Sequence, residues 1–191
     1  VFTIARDEWR WMDHRPFAGV KLPEEAEPRH QRWEWRAIRR VVRRLGHVTG
    51  KAPQTKNQQV ALAFLISLST SLRAAEVLRV GTDTYNAATR VIVVKAKGKL
   101  RSEIPVPRRA AKHCALADFT ITSQSLDVLF RKARDATLAG DLTFHDARAT
   151  ALTLLARRVD ILTLARISQH SDLRMLQRYY RESSAQIAGR I

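Results

Sequence analysis

The chain is 191 residues long and carries 34 Lys and Arg against 18 Asp and Glu, a net charge of +16. An excess of that size points to a polyanionic partner, with nucleic acid first. A membrane is set aside: no apolar run nears the roughly 20 residues of a spanning helix, and the basic residues are spread along the chain rather than massed beside an anchor. The single cysteine, Cys114, excludes an internal disulfide, fits a reducing compartment and leaves nothing to ligate a structural zinc. The length allows one domain with a real core plus a fragment of another. The opening VFTIARDEWRWMDH starts with Val1 and breaks every apolar run with charge, so it reads as the interior of a larger protein and not as a signal peptide.

Phe2, Ile4, Ala5, Trp9 and Met12 recur at helical spacing and predict one amphipathic helix over 2–13. Pro16, Gly19, Pro23, Pro28 and an acidic patch follow, a linker by composition, so the domain boundary is expected there. Trp33, Ile38, Val41, Val42 and Leu45 mark a helix stopped by Gly46, with Arg39, Arg40, Arg43 and Arg44 on its other side. Those arginines are candidates for phosphate contacts, or simply a solvated helix face. QVALAFLISLST is apolar nearly all round, as a helix buried on several sides would be. Arg73 follows it and is expected to be buried and paired with Glu76 at i+3. Val91–Lys95 and Arg101–Val106 read as a hairpin with Lys97, Gly98 and Lys99 at its tip. RRAAKHC is a short basic helix, with His113 a surface or packing residue. Ser123 is the expected cap of a helix striped by Leu126, Leu129, Phe130 and Ala133 and ended near Gly140. Ala147, Thr150, Ala151, Leu154 and Leu155 give the next helix its inner face. Asp160 caps another, Ser171 caps the one leading to Tyr179, and residues 182–191 could add a last short helix.

Four pieces stand out from this background. His145 and Arg148, three apart, project from one helix face. His170 and Tyr179 are nine apart. Arg73 lies in Ser71-Leu72-Arg73 with Glu76 beyond, and Lys97-Gly98-Lys99 lies between two strands. Together they resemble the active-site set of the tyrosine recombinases, the phage integrase family, over most of the chain from about Pro28. The resemblance implies an α+β, mostly α-helical catalytic domain with a small antiparallel β-sheet or hairpin packed on a helical core. It implies that residues 1–15 are the last helix of a truncated core-binding domain, 16–28 a linker and 29–191 the catalytic domain.

The same resemblance implies the chemistry. A phosphodiester under attack gathers negative charge, and fixed guanidinium groups suit it because their planar fork binds two oxygens and keeps its protons. Arg73 and Arg148 would flank one phosphate, His170 would donate a further hydrogen bond, and Glu76 would support Arg73. Tyr179 would be the nucleophile, with His145 as proton acceptor. Lys97 matches the family's lysine best, Lys99 second, and would protonate the leaving 5′-oxygen; Lys99 and Arg101 are further phosphate candidates. Double-stranded DNA is the implied partner, cut and rejoined through a 3′-phosphotyrosine with no metal, ATP or other cofactor. The full-length protein would work as a tetramer on DNA and this piece as a monomer, in the cytoplasm at the nucleoid of a bacterium or of a phage host. Two departures stand out: the usual Leu-Gly-His is Ser168-Gln169-His170, and the usual His-x-Leu-Arg-His is His145-Asp146-Ala147-Arg148-Ala149. Rival readings are strand relaxation like that of type IB topoisomerases, a catalytically silent DNA-binding regulator, and an RNA-binding helical domain. The last lacks a visible stacking aromatic platform.

Overall fold

A computed structural model describes residues 2–14, 19–21, 32–94, 101–180 and 188–189. The chain divides into two compact units, 1–30 and 31–191. In the first, helix α1 (Phe2–Asp7) is shorter than the apolar spacing predicts. The N–H groups of Trp9 and Trp11 close back on the carbonyls of Ile4 and Ala5, and Arg10 turns into the left-handed region at φ 52°. That backbone hand ends a right-handed helix whatever the side-chain pattern beyond it. Most of the proposed linker lies outside the described residues.

The second unit is built around α3 (Lys56–Thr70), whose Val60, Ala61, Leu62, Ala63, Phe64 and Ile66 are all fully buried. Its start is secured by a capping box in which Thr55 and Gln58 exchange side-chain and backbone hydrogen bonds. Its buried hydroxyls are satisfied within the same segment: Thr70 donates to Ile66 O and Ser67 to Leu72 O. Around it pack α4 (Ala74–Val77), α5 (Arg108–Ala115), α6 (Ser123–Asp135) and α7 (Asp146–Ala156), while α2 (Trp35–Arg44) lies against α6. An aromatic cluster joins them, with Phe64 in contact with Trp33, Phe130 and Phe144 at ring-centroid distances of 4.8 to 5.9 Å. Trp33 precedes α2 rather than opening it; its backbone N–H donates to Thr150 Oγ1 and its indole N–H to Thr143 O, which ties the entry of this unit to the start of α7.

The small sheet has the order β1-β2-β3, all antiparallel, with β1 (Tyr85–Asn86), β2 (Val91–Val94) and β3 (Ser102–Pro105). Ile92 pairs with Ile104 and both are fully buried, so one face of the predicted hairpin belongs to the core. Its tip, including Lys97 and Lys99, lies outside the described residues. The remaining elements are α8 (Ile161–Ser168), which runs beside α7 and β3, and α9 (Arg174–Gln177), which rests on α8. A second, smaller core of Leu152, Leu155, Leu164, Ile167 and Leu176 supports them.

Several expected boundaries shift by a residue or a turn. Thr122, not Ser123, caps α6, because its hydroxyl reaches the N–H of Ser125. That helix stops at Asp135, before Gly140, where Thr137 turns its hydroxyl back on the carbonyls of Ala133 and Arg134. Leu154 is exposed and Leu152 takes the inward position on α7. Asp160 caps α8 as expected, whereas Asp172 and not Ser171 receives the N–H of Arg174 at the start of α9. Residues 182–187, 190 and 191 of the expected last helix lie outside the described set.

Candidate active site

Arg148 sits in the first turn of α7 with only 5% of its surface exposed. No carboxylate receives its hydrogen bonds among the described residues. Instead Nη1 donates to Ser71 O and Nη2 to Ser168 O, the latter at 2.6 Å. Ser71 is the C-cap of α3 and Ser168 the last residue of α8. The carbonyls at a helix C-terminus lack intrahelical partners and carry the negative end of the helix dipole, so two helix ends together compensate one buried cation. The compensation is partial. Burial first, then the charge of Arg73, lowers the Arg148 pKa from 12.5 to about 10, opposed by Glu76 and Tyr179. At neutral pH the group remains charged.

Those two carbonyls are aimed by unusual backbone. Ser71 adopts φ 61° and ψ 14°, and Gln169, directly after Ser168, adopts φ 60° and ψ 31°. Left-handed backbone at a residue other than glycine costs about 1 kcal/mol. Gln169 therefore performs the turn usually given to glycine, and its side-chain amide is buried with neither Oε1 nor Nε2 hydrogen-bonded.

Arg73 departs from the expectation that it is buried: its side chain is 46% exposed, while Glu76 beneath it is the buried member. The reason is its place as N-cap of α4. Glu76 accepts the Arg73 backbone N–H at 2.8 Å and the Nη1–H at 3.0 Å, which fixes the root of the side chain and leaves its other donors facing outward. Two guanidinium groups thus share one neighbourhood, one sunk and one protruding.

His170 completes the hollow. Its Nδ1 lies 2.7 Å from Ser168 Oγ. Desolvation and the charges of Arg148, Arg73 and Arg178 pull its pKa down from 6.5 to about 4, so the ring is neutral at pH 7. Arg178 carries no motif signal in the sequence; it enters because it lies in the turn after α9. Beside His170 a cleft of about 370 Å³ opens between α8 and the hairpin, lined by Arg101, Ser102, Glu103, Arg166 and Gln169. Tyr179 is half-buried on the small core and close enough to Arg148 to affect its charge. The hydroxyl of Tyr180 is committed elsewhere, donating to Val159 O at 2.8 Å.

His145 is placed differently from the rest. It is the exposed N-cap residue of α7, and its ring makes no hydrogen bond among the described residues. The turn carrying it is shaped by Asp146, whose carboxylate accepts the backbone and hydroxyl donors of Thr143 at 2.7 and 2.9 Å. Sequence reasoning missed that role, although Thr143-x-x-Asp146 is a legible capping pattern. Arg36, Arg39, Arg40 and Arg43 line a separate open cleft of about 560 Å³ together with Glu34. Arg44 is exposed on the same helix outside that lining.

No family model matches the chain. A candidate integrase/recombinase of Haemophilus influenzae is 32% identical over 200 residues, covering 98% of this chain and 65% of that protein. The catalytic domain of bacteriophage HP1 integrase superposes over 83% of this chain and 91% of that domain with a TM-score of 0.60, at 19% identity. In sequence the chain is similar to an integrase/recombinase, and in fold to an integrase catalytic domain. The Tn1549 transposon integrase, solved in complex with transposon right end DNA, is also similar, with a TM-score of 0.63 and 16% identity over 93% of this chain and 69% of that one. The mostly helical tyrosine recombinase catalytic-domain fold with its small antiparallel sheet is thereby established. The chain spans 65%, 50% and 47% of the curated relatives it matches, so each is a longer protein.

Proposed function

We propose that this chain is the strand-transfer domain of a site-specific recombinase that cuts double-stranded DNA through Tyr179 and rejoins it without metal or ATP. The observation that carries the reading is the placement of Arg148 between two helix ends, in the field of Arg73, with His170 and Tyr179 around it. A phosphate entering there meets one guanidinium held between two carbonyls and a second rooted on Glu76 with donors to spare. Both stay protonated through the reaction, so charge building on the non-bridging oxygens is met by fixed donors that need not reorganise. Tyr179 attacks the phosphorus and the 5′-oxygen departs; the new phosphotyrosine keeps the energy of the broken bond, and a 5′-hydroxyl reverses the step. His145 is the assigned acceptor of the tyrosine proton. Lys97, or failing that Lys99, is assigned the protonation of the leaving oxygen.

In this reading residues 1–15 are the end of a core-binding domain, 16–28 the linker and 29–191 the catalytic domain. The full-length protein assembles as a tetramer on DNA in the cytoplasm, at the nucleoid, and the piece alone is a monomer. Among the described residues no helix is long and apolar enough to cross a membrane. The test is a nicked suicide substrate, on which Tyr179→Phe should form no covalent adduct and bind DNA as tightly as the parent. Tyr180→Phe should retain the adduct. An undiminished adduct in Tyr179→Phe would overturn the assignment.

A further inference from the structure

Ser168 stands at the meeting point of the two groups that most directly face the proposed phosphate site, and nothing in the motif resemblance gives it a role, since the family's usual residue there is leucine. It is fully buried. Its carbonyl accepts from Arg148 and its hydroxyl oxygen lies 2.7 Å from Nδ1 of His170. A hydroxyl has one hydrogen to give. The other acceptor within reach is Ala165 O, at 3.5 Å. That carbonyl already accepts the backbone N–H groups of Gln169 and of His170, so both its lone pairs are in use. A hydroxyl donor prefers about 2.7 Å and is weak at 3.5 Å. The hydrogen therefore belongs to His170 Nδ1. A ring nitrogen that accepts a hydrogen bond carries no proton, and in a neutral ring the proton must then be on Nε2. Desolvation first, and then the three surrounding arginine charges, keep the ring neutral.

We propose that Ser168 is a positioning residue of the strand-transfer site: its hydroxyl locks His170 as the Nε2–H tautomer, a neutral donor for the phosphate, while its carbonyl holds Arg148 in place. This rests on the function proposed above, but the hydrogen bond itself can be tested without DNA. Long-range proton–nitrogen correlation spectra of the histidine-labelled chain near neutral pH, with His170 assigned by its loss in His170→Gln, should show an unprotonated Nδ1 and a protonated Nε2. The reverse pattern overturns the proposal. Ser168→Ala keeps the carbonyl and removes the hydroxyl. It should give His170 a mixture of tautomers and slow adduct formation about tenfold at unchanged DNA Kd, and Ser168→Thr should restore both. An unaltered tautomer and rate in Ser168→Ala overturn the proposal; if that variant does not fold, the parent spectrum decides alone. A parent protein that forms no adduct refutes the strand-transfer reading, while the spectrum still reports whether Ser168 sets the ring.

Discussion

His170 offers the sharpest test of the hollow, because its environment is written into the stability of the protein. In the unfolded chain the imidazole takes up a proton near pH 6.5, and in the folded protein only near pH 4. Between those values the unfolded state binds more protons. Stability is fully present above pH 6.5 and is lost as the pH falls towards 4; discounted for the solvent screening of a partly exposed ring, the loss is about 2 kcal/mol in all. His170→Gln removes this contribution. Urea unfolding of both proteins at intervals from about pH 4 to about pH 7 should show the parent losing about 2 kcal/mol more than the variant over the window. His47 and His113 are also held below the usual imidazole range, chiefly by burial, but both proteins contain them and the difference cancels their part. Parallel curves would refute the reasoning, because they would mean that the ring is neither desolvated nor pressed by arginine charge. A phosphate-bearing ligand should shrink the effect, since an anion between the arginines offsets the repulsion that keeps the ring neutral.

Three further outcomes are expected. Arg148→Lys offers one ammonium where a planar fork bridges Ser71 O and Ser168 O, so adduct formation should fall by about a hundredfold or more in single-turnover assays, with DNA affinity little changed. Glu76→Gln leaves a side chain able to hold the Arg73 backbone N–H but removes the charge opposite its guanidinium; adduct formation should drop about tenfold while the melting temperature moves little, read by the same assay and by calorimetry. Replacing Arg39, Arg40 or Arg43 by Gln should weaken DNA binding at all sequences alike. Each phosphate no longer neutralised should lower the slope of log Kd against log salt by about one, measured by fluorescence anisotropy.

Much of this protein is readable along the chain, and the reason is locality. Helix periodicity, the cap at Asp160, the buried run of α3 and the hairpin around Ile92 and Ile104 are set by neighbours within a few residues, and sequence order preserves those neighbours. The side chains assigned to the proposed site can be picked out along the chain too, because the phosphate chemistry proposed for them calls for particular groups. Only the tertiary structure decided how they are held. It buried Arg148 and exposed Arg73, where the sequence pointed to the opposite for Arg73, because the acceptors for the buried guanidinium are backbone carbonyls 77 and 20 residues away. Every residue type has a carbonyl, so no letter in the sequence marks Ser71 or Ser168 for that task. The same holds for Tyr180, whose hydroxyl finds Val159 O only once α8 and α9 have packed on their small core.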